Sequence, residues 1–472
     1  MLQKRWKILD NSGRGTVIER LRSLRQLDIN AETIHDPFQL PDMDKAVERF
    51  LTALRNREKI LVFGDYDADG ITATAVILEF LRILDMPYDY ILPHRVKDGY
   101  GLQAHSVSRI KASGAGLLVT VDNGTTAHAA LDQLAEAGID VIVLDHHQQD
   151  VELPQAVAVV NANRNDSQYP FKGLAGVGVA WKMLQALEAP DLDSYLDLVT
   201  IGTIGDMVPL LGENRLLVRR GLEQINRSPR PGIRALRQVT RLQDRTIDAG
   251  HVGWMLAPRI NSAGRMETPD IALELLRSRS MEVAMPLAKQ LASLNEKRKL
   301  EQQEGLERVL DEVHDTHASC SIVQQVGDWH LGIIGLIAAR ISQEFALPSI
   351  VFSRVGDGLL KASSRSIPGF DITGAISRQS HLLEEFGGHS EAAGLLSGKK
   401  TCPVSLPPWR NSPVRTSTMR CEFRSLPSTW NCNRQRSVWI YWTSCVNLHP
   451  GGWVIPNPVS CFAVPDCCAR IS

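Results

Sequence analysis

The chain has 472 residues, enough for two to four domains, and its 43% hydrophobic and 22% charged composition is that of a globular protein. Its 52 basic and 53 acidic residues leave a formal net charge of −1, so bulk electrostatics select no partner, and a nucleic-acid site would have to be a local basic patch. There is no run of 18 apolar residues, so no membrane span is expected, and the opening MLQKRWKILDNSG lacks the apolar core of a signal peptide, which leaves the cytoplasm as the expected location.

Residues 1–40 form a lead-in without a clear period. Residues 42–57 read as an amphipathic helix with Ala46, Val47, Phe50, Leu51 and Leu54 on one face. In LVFGDYDADGITAT a buried strand (Leu61, Val62, Phe63) turns at Gly64, and Asp65, Asp67 and Asp69 follow before a helical run over 71–84. A short strand is expected at 90–92 and a polar loop at 94–102. Residues 117–121 form the next strand, ending at Asp122-Asn123-Gly124. A helix over 125–137 follows, capped by Thr125 and stopped by Gly138. A strand at 141–144 ends at Asp145-His146-His147, and 157–160 is a further candidate. Strands alternating with helices of this length indicate a parallel sheet with right-handed crossovers.

Residues 173–187 are glycine-rich and then helical, and 196–204 lead into Gly205-Asp206. APRINSAGRM (257–266) reads as a polar loop carrying Arg259, Asn261 and Arg265. Residues 281–313 are the longest helical candidate, read as a spacer with a solvated charged face. Strands at 319–325 and 349–352, helices at 330–341 and 373–383, a strand-then-loop at 360–371 and a glycine turn at Phe386-Gly387-Gly388-His389 make a second, smaller α/β domain.

The text changes after about residue 397. Seven of the eight cysteines and five of the nine tryptophans fall beyond residue 400, and the only acidic residues there are Glu422 and Asp466. Neither a 2.0 nor a 3.6 period is present, and no CxxC pair supports zinc binding. The expectation is an irregular tail of the kind produced by translation out of register. The first 400 residues, with Cys320 alone, show no disulfide framework.

Chemistry concentrates at the strand ends. Three carboxylates in five residues repel one another unless a cation joins them, and hard divalent ions take such oxygen ligands. The alternative for Asp65, Asp67 and Asp69 is an acidic first turn favoured by the helix dipole. Asp122, Asp145, His146 and His147 stand at the carboxyl ends of two more expected parallel strands, which share one edge of such a sheet. Asp206 could reach the same cleft. Taken singly, the two histidines read as surface residues, Asp122 as a turn residue and Asp206 as a helix-terminal one. Together they fit two ions about 3.5–4 Å apart bridged by one carboxylate, and imidazole with carboxylate suits Mn²⁺ better than Ca²⁺. There is no GxGxxG after the first strand and no GxxxxGK[ST], which argues against dinucleotide and P-loop binding.

GDYDADG, VTVDNGTT, VLDHH and TIGDMVPL, in this order and spacing, resemble the motifs of the DHH phosphoesterase superfamily. PRINSAGRM, GDWHLGIIGLIAARI, SSRSIPGFD and FGGH resemble its RecJ branch, bacterial 5′-to-3′ exonucleases specific for single-stranded DNA. The resemblance covers roughly residues 10–396. It implies a parallel-sheet catalytic domain (41–280) joined by a long helix (281–317) to a smaller α/β domain (318–397), the DHH-associated domain, with residues 398–472 as tail. Carried over, it makes Asp67 and Asp69 metal ligands of a two-metal Mn²⁺ or Mg²⁺ site, Asp122 the bridge, and His146 and Asp206 the completing ligands. Asp65 and His147 become weaker ligands or phosphate contacts, and Asp145 orients a histidine. Some relatives carry a histidine two residues before the first motif aspartate; here that residue is Phe63, with Asp65 or water left to compensate.

Arg259, Ser364, Arg365, Gly387, Gly388 and His389 are the residues implied to hold substrate phosphate, with Arg365 and Ser364 suited to a 5′-terminal one. The resemblance further implies a monomer acting on single-stranded DNA with a 5′ end in DNA repair and recombination, alongside single-strand-binding protein and a helicase. Members of the family continue into an OB-type nucleic-acid-binding domain. Nothing after residue 397 reads as one, which implies a weaker grip on long DNA. Two other readings stand beside this one: a phosphodiesterase of short oligonucleotides or cyclic dinucleotides, and a binding-only remnant without turnover.

Overall fold

The structure, a computed structural model, describes residues 33–149, 152–227, 229–313, 323–356 and 358–398. Most of the lead-in, the expected strand start at 319–322 and the irregular tail lie outside the described residues. Among the described residues no helix is long and apolar enough to cross a membrane.

The first unit is built on a five-stranded sheet, β1 (Ile60–Phe63), β2 (Tyr88–Ile91), β3 (Leu117–Val121), β4 (Asp140–Leu144) and β5 (Ala158–Val160), in the order β2-β1-β3-β4-β5. Every pairing is parallel. The central strands are buried on both faces and read as unbroken apolar runs because helices cover each side. Alternation sorts them: Ile60, Val62, Val119, Val121, Ile142 and Leu144 enter one core, and Leu61, Phe63, Leu118, Val141 and Val143 enter the other.

The second of these layers is thin, made of α3 (Val107–Ala112) and α4 (His128–Glu136). The first is thick and begins with α1 (Met43–Asn56) and α2 (Ala68–Ile83). On α1 the inward face is Met43, Ala46, Phe50 and Ala53, whereas Leu51, expected inside, is 40% exposed. The rest of the layer is α5 (Gly176–Ala186), α6 (Leu196–Gly205), α7 (Gly212–Arg227), α8 (Pro231–Val239), α9 (Ala257–Met266) and α10 (Asp270–Arg277). Residues of α2 are buried continuously from Ala68 to Leu81, because α5, α6 and α10 pack around it.

Two expectations are corrected here. The 257–266 stretch is not a loop but helix α9, entered through a π-helical turn, Val252–Leu256; its polar residues occupy helix faces that meet other elements. The helix after β3 begins at His128, not Thr125. The Thr125 N–H donates to the Asp145 carboxylate (2.9 Å) and its hydroxyl accepts from Asn161 (3.0 Å), so it ties two strand ends together instead of capping a helix.

Helix α11 (Met281–Val313) is more than a spacer: Ala284, Ala288 and Leu291 belong to the main core, and Val309 joins the core of the second unit. Pro286 stands in its second turn, where the missing N–H costs one helical hydrogen bond. The second unit has a mixed sheet in the order β6-β7-β8-β10-β9, made of β6 (Val323–Gly327), β7 (Ser349–Val355), β8 (Leu359–Arg365), β9 (Glu385–His389) and β10 (Ala392–Ser397). Helix α12 (Ile334–Phe345) packs on one face and α13 (Ile372–Ser377) on the other. The expected glycine turn at 386–389 is strand β9, paired antiparallel with β10; Gly388 has φ +149, and a methyl group there would collide with the Ala392 carbonyl. The two units meet closely. A methyl group on Gly332 would collide with the Arg265 carbonyl, and Lys361 Nζ donates to the Val96 carbonyl at 3.4 Å.

Candidate metal centre and phosphate cleft

In the order 2-1-3-4-5 the chain reverses its direction of sheet growth between β1 and β3, and ligands bind in the crevice outside the strand ends at such a switch point. The ends of β1, β3 and β4 deliver Asp65, Asp122 and Asp145 to that crevice. Asp67 caps α2, accepting the Asp69 and Gly70 N–H groups at 2.9 and 3.2 Å. Asp69 is fully buried, and its carboxylate accepts the Gly176 and Val177 N–H groups at the start of α5 (2.6 and 2.9 Å). Asp122 takes a left-handed conformation (φ 61), which aspartate tolerates better than branched residues. Asp206 caps the C-terminus of α6.

His146 Nε2 stands in the middle, 3.1 Å from Asp122, 3.7 Å from Asp206 and 3.8 Å from Asp69. Three sets bring possible ligand atoms within 4.8 Å of one another: Asp69, His146 and Asp206; Asp65, Asp67 and Asp122; and Asp122, His146 and His147.

The electrostatics show a site short of positive charge. Burial, and then Asp67, pushes the Asp65 carboxyl up to about 8. Burial with Asp206 and Asp67 raises that of Asp69, and burial with Asp69, Asp67, Asp65 and Asp206 raises that of Asp122. Burial also raises Asp206 and favours a neutral His146. Asp65 Oδ1 and His146 Nε2 are buried without a hydrogen-bond partner. Hard carboxylates, a neutral imidazole and two orphaned ligand atoms fit a pair of divalent cations. Phe63 has its side chain in the thin-layer core, so no ligand comes from its position.

His147 behaves differently from His146. Its Nδ1 lies 2.7 Å from Asp145 and its Nε2 2.7 Å from the Tyr100 hydroxyl. Burial opposes its charge, but Asp145 outweighs burial and lifts it to about 9. Asp145 in turn is buried, yet the charge and hydrogen bond of His147 hold it well below the usual carboxylate range. His147 is thus held between Asp145 and the Tyr100 hydroxyl at the edge of the cluster. Asn163 and Asn161 donate to the His146 and His147 carbonyls (2.5 and 2.8 Å), fixing the turn that carries both rings.

The phosphate side departs from expectation at two residues. Ser364 is fully buried, and its hydroxyl bonds to both the N–H and the carbonyl of Ala393 (3.0 Å each), closing β8 onto β10. Ser363 meets Arg365 instead: Arg365 Nη1 donates to Ser363 Oγ at 3.1 Å, as expected of residues two apart on one face of a strand. Arg259 turns back to the Met255 carbonyl (2.6 Å), with Glu296 as its neighbouring charge.

Arg265 and Arg95 assemble with Arg365 instead. Arg95 lies over the Tyr66 ring at 4.8 Å. Burial and the charges of Arg95 and Arg298 press the Arg265 pKa down to about 9, and burial and Arg95 lower that of Arg365. Among the described residues none of these three arginines pairs with a carboxylate. The local basic patch on a neutral protein is this wall around Tyr66. Arg265 was findable from sequence had the stretch been read as a helix, since it stands four residues after Asn261, whose side chain accepts the Ala68 N–H (2.6 Å) at the head of α2.

A methyl group on Gly176 would lie 2.7 Å from Asp122 Cβ and 2.8 Å from its Oδ1. Gly176→Ala is expected to displace that carboxylate and lower kcat/KM by about a hundredfold, the order of effect of a 1 Å misplacement. A circular dichroism spectrum matching the parent's would locate the loss in the site and not in the fold.

The DHH family, N-terminal domain, matches residues 59–203, and the DHHA1 domain matches residues 319–400. The single-stranded-DNA-specific exonuclease RecJ of Dickeya dadantii is 38% identical over 403 residues, 79% of this chain and 70% of the relative. A crystal structure of exonuclease RecJ bound to manganese superposes with a TM-score of 0.69 at 32% identity, covering 77% of this chain and 92% of that one. RecJ of Thermus thermophilus in complex with Mg²⁺ gives a TM-score of 0.63 at 27% identity, over 82% of this chain and 54% of the other.

Proposed function

The chain belongs to the RecJ family of single-stranded-DNA-specific exonucleases, and from that premise we propose that it hydrolyses single-stranded DNA from the 5′ end in a metal-dependent reaction. Its setting on this reading is DNA repair and recombination in the cytoplasm. Residues 41–280 serve as the catalytic unit and 318–397 as the substrate-binding unit of a monomer. One observation carries the proposal: a buried, charge-starved carboxylate and imidazole cluster lies at the sheet's switch point next to an unpaired arginine wall contributed by both units.

Asp69, His146 and Asp206 would hold one cation and Asp65, Asp67 and Asp122 the other, with Asp122 and His146 adjoining across the two sets. Mn²⁺ or Mg²⁺ bound there would supply a water nucleophile at neutral pH and offset the charge on the phosphodiester. The backbone N–H groups that grip Asp69, and those that grip Asp67, hold the carboxylates in place before substrate arrives. His147, oriented by Asp145, stands beside the cluster, and its Nε2 would have to exchange the Tyr100 hydroxyl for a non-bridging phosphate oxygen to contact the substrate. Arg365, Arg265 and Arg95 would capture a terminal phosphate as a charge-assisted clamp, and a free 5′ end held there would give the reaction its polarity. Gly387, Gly388 and His389 on β9 remain candidate backbone and side-chain contacts to the strand, and Arg259 a more distant one.

The test is a long 5′-phosphorylated single strand incubated with Mn²⁺ or with EDTA. Mononucleotides released from the 5′ end only with metal are expected; release from the 3′ end, or none, overturns the polarity or the activity. Arg365→Gln is expected to raise KM about ten- to hundredfold for a 5′-phosphorylated strand and much less for a 5′-hydroxyl strand, the range for a lost charge-assisted hydrogen bond. A second reading, hydrolysis of very short oligonucleotides or cyclic dinucleotides, would use the same centre. A cyclic substrate has no terminal phosphate for the arginine wall, so a rate that climbs with chain length separates the two.

A further inference from the structure

The arginine wall and the metal centre share a border at Tyr66. Its chain neighbours Asp65 and Asp67 bring ligand atoms together with Asp122, while its ring carries Arg95, whose guanidinium carbon lies 4.8 Å from the ring centroid. The tyrosine is fixed in place. It is 9% exposed and meets Tyr100 edge-on. Helix α9 presses on its backbone, since a methyl group on Gly264 would lie 2.4 Å from the Tyr66 carbonyl oxygen and 3.1 Å from its Cβ. The loop that bears Arg95 is pinned as well. The Asp98 carboxylate accepts the His94 N–H (2.7 Å), His94 Nδ1 accepts the Val96 N–H (3.1 Å), and the His94 carbonyl accepts the Asp98 N–H (2.8 Å). With both backbones held, the freedom that remains is that of the Arg95 side chain.

Charge alone would send that side chain elsewhere. Arg95 lies within reach of the charges of Arg265 and Arg365, which repel it, and of Asp65, which attracts it. A guanidinium forks readily onto carboxylates, and the cluster beside it is short of positive charge. Yet among the described residues Arg95 makes no ion pair with a carboxylate; it lies on the Tyr66 ring. A π-face holds a cation without consuming its N–H donors. We infer that Tyr66 is a positioning residue: its ring seats Arg95 in the arginine wall and keeps it out of the acidic cluster, where a guanidinium would take the place of a cation. That the seated arginine awaits a phosphate rests on the exonuclease reading above. One tyrosine between two candidate ligands thereby keeps apart two sites of opposite charge, one to be left open to metal and the other to phosphate.

Four variants of the full chain test this: Tyr66→Phe, Tyr66→Leu, Arg95→Gln and the double variant Tyr66→Leu/Arg95→Gln. Two readouts need no turnover. Calorimetry follows Mn²⁺ binding, and fluorescence anisotropy in EDTA compares a 5′-phosphorylated with a 5′-hydroxyl single strand. Tyr66→Leu is expected to weaken Mn²⁺ binding at least about tenfold, the smaller effect of an arginine set beside a carboxylate. It should also lower the preference for the 5′ phosphate about two- to thirtyfold, the range for a cation–π contact. Arg95→Gln should lose the phosphate preference and keep the Mn²⁺ affinity. The double variant should recover the Mn²⁺ affinity, because the competing guanidinium is gone, while the phosphate preference stays lost. Tyr66→Phe should match the parent in both readouts. Recovery of metal binding by a second substitution is an outcome that damage to the fold would not give.

Parental Mn²⁺ affinity in Tyr66→Leu overturns the inference and leaves the exonuclease reading standing. A Mn²⁺ loss that the double variant does not recover overturns it too, since the ring would then support the ligands directly. If Tyr66→Leu does not fold, Tyr66→Met removes the π-face at similar volume and takes its place. Arg95→Gln decides independently. Tighter Mn²⁺ binding than the parent's would mean that Arg95 already sits in the cluster, and an unchanged phosphate preference that it does not serve the wall; either result overturns the inference. A parent chain that degrades no strand with metal overturns the exonuclease reading, and the Mn²⁺ titrations then decide the role of Tyr66 alone. A parent chain that binds no Mn²⁺ overturns both.

Discussion

Asp122→Ala is expected to abolish metal-dependent hydrolysis, lowering kcat by at least about a thousandfold, since cation stabilisation of a phosphoryl transition state is worth several kcal/mol and each ~1.36 kcal/mol is tenfold. The reason lies in its neighbours. Asp122 belongs to the set with Asp65 and Asp67 and lies 3.1 Å from His146 of the set with Asp69 and Asp206, so its removal takes a ligand from one proposed cation position and a close neighbour from the other. The fold should survive. Asp122 is a buried carboxylate among like charges, and removing it relieves repulsion within the cluster. Three measurements check this together: mononucleotide release, a Mn²⁺ titration by calorimetry and the thermal midpoint without metal. The expected result is lost turnover, weaker Mn²⁺ binding, and a midpoint equal to or above that of the parent. Retained turnover would remove Asp122 from the centre of the mechanism.

Lys182→Met should give the largest loss of stability, about 3–5 kcal/mol, the usual result of breaking a buried ion pair from one side. Lys182 Nζ and Glu213 Oε1 are 2.6 Å apart with both side chains at 0% exposure. Lys182 also donates to the His35 carbonyl (2.6 Å), and Glu213 accepts the His35 N–H (2.8 Å) and the Tyr169 hydroxyl (2.6 Å). Burial lowers the Lys182 pKa, and Glu213 opposes that. Methionine fills the space of the stem but leaves Glu213 charged and unpaired in the core. A Lys182→Met/Glu213→Gln double variant keeps an acceptor for the His35 N–H, offers its amide N–H to the Tyr169 hydroxyl oxygen and removes the stranded charge, so it should recover much of the loss. Thermal midpoints of the three proteins test the point. A single variant as stable as the parent would mean that the pair is not buried in solution.

Neither residue of this pair stands out in the sequence, and the reason is physical. Lys182 sits in a helix whose other residues are nearly all apolar, and Glu213 lies 31 positions away in a polar one. Only the packing of α5 and α7 with the segment around His35 makes them partners. Sequence-distant charges carry no periodic signal.

The metal centre was far more legible. Strand-ending aspartates at 65, 122 and 145 announce themselves because a parallel strand must run apolar to its carboxyl end and a site must then begin. Local chemistry could name candidate ligands but not their partners. That Asp69 points at the head of α5, or that burial disfavours the charged form of His146 while Asp145 favours that of His147, follows from burial and contacts that no spacing encodes.

The amino-acid sequence by itself determined the alternation of strand and helix, the acidic residues at the strand ends and the family motifs, because these are written in local period and in residue type at short separation. It misjudged α9 as a loop because polar residues there satisfy other elements instead of solvent: Asn261 holds α2, and Arg265 faces Tyr66 and Arg95. It chose Ser364 over Ser363 because a one-residue step along a strand exchanges faces, and only the pairing of β8 with β10 says which face is inside. The order of the strands, the arginine wall drawn from two units and the seat of Arg95 on Tyr66 were decided by tertiary structure alone. Each depends on bringing residues far apart in the chain within a few ångströms, and the free energy for that comes from burying the cores between them, not from any property of the residues that meet.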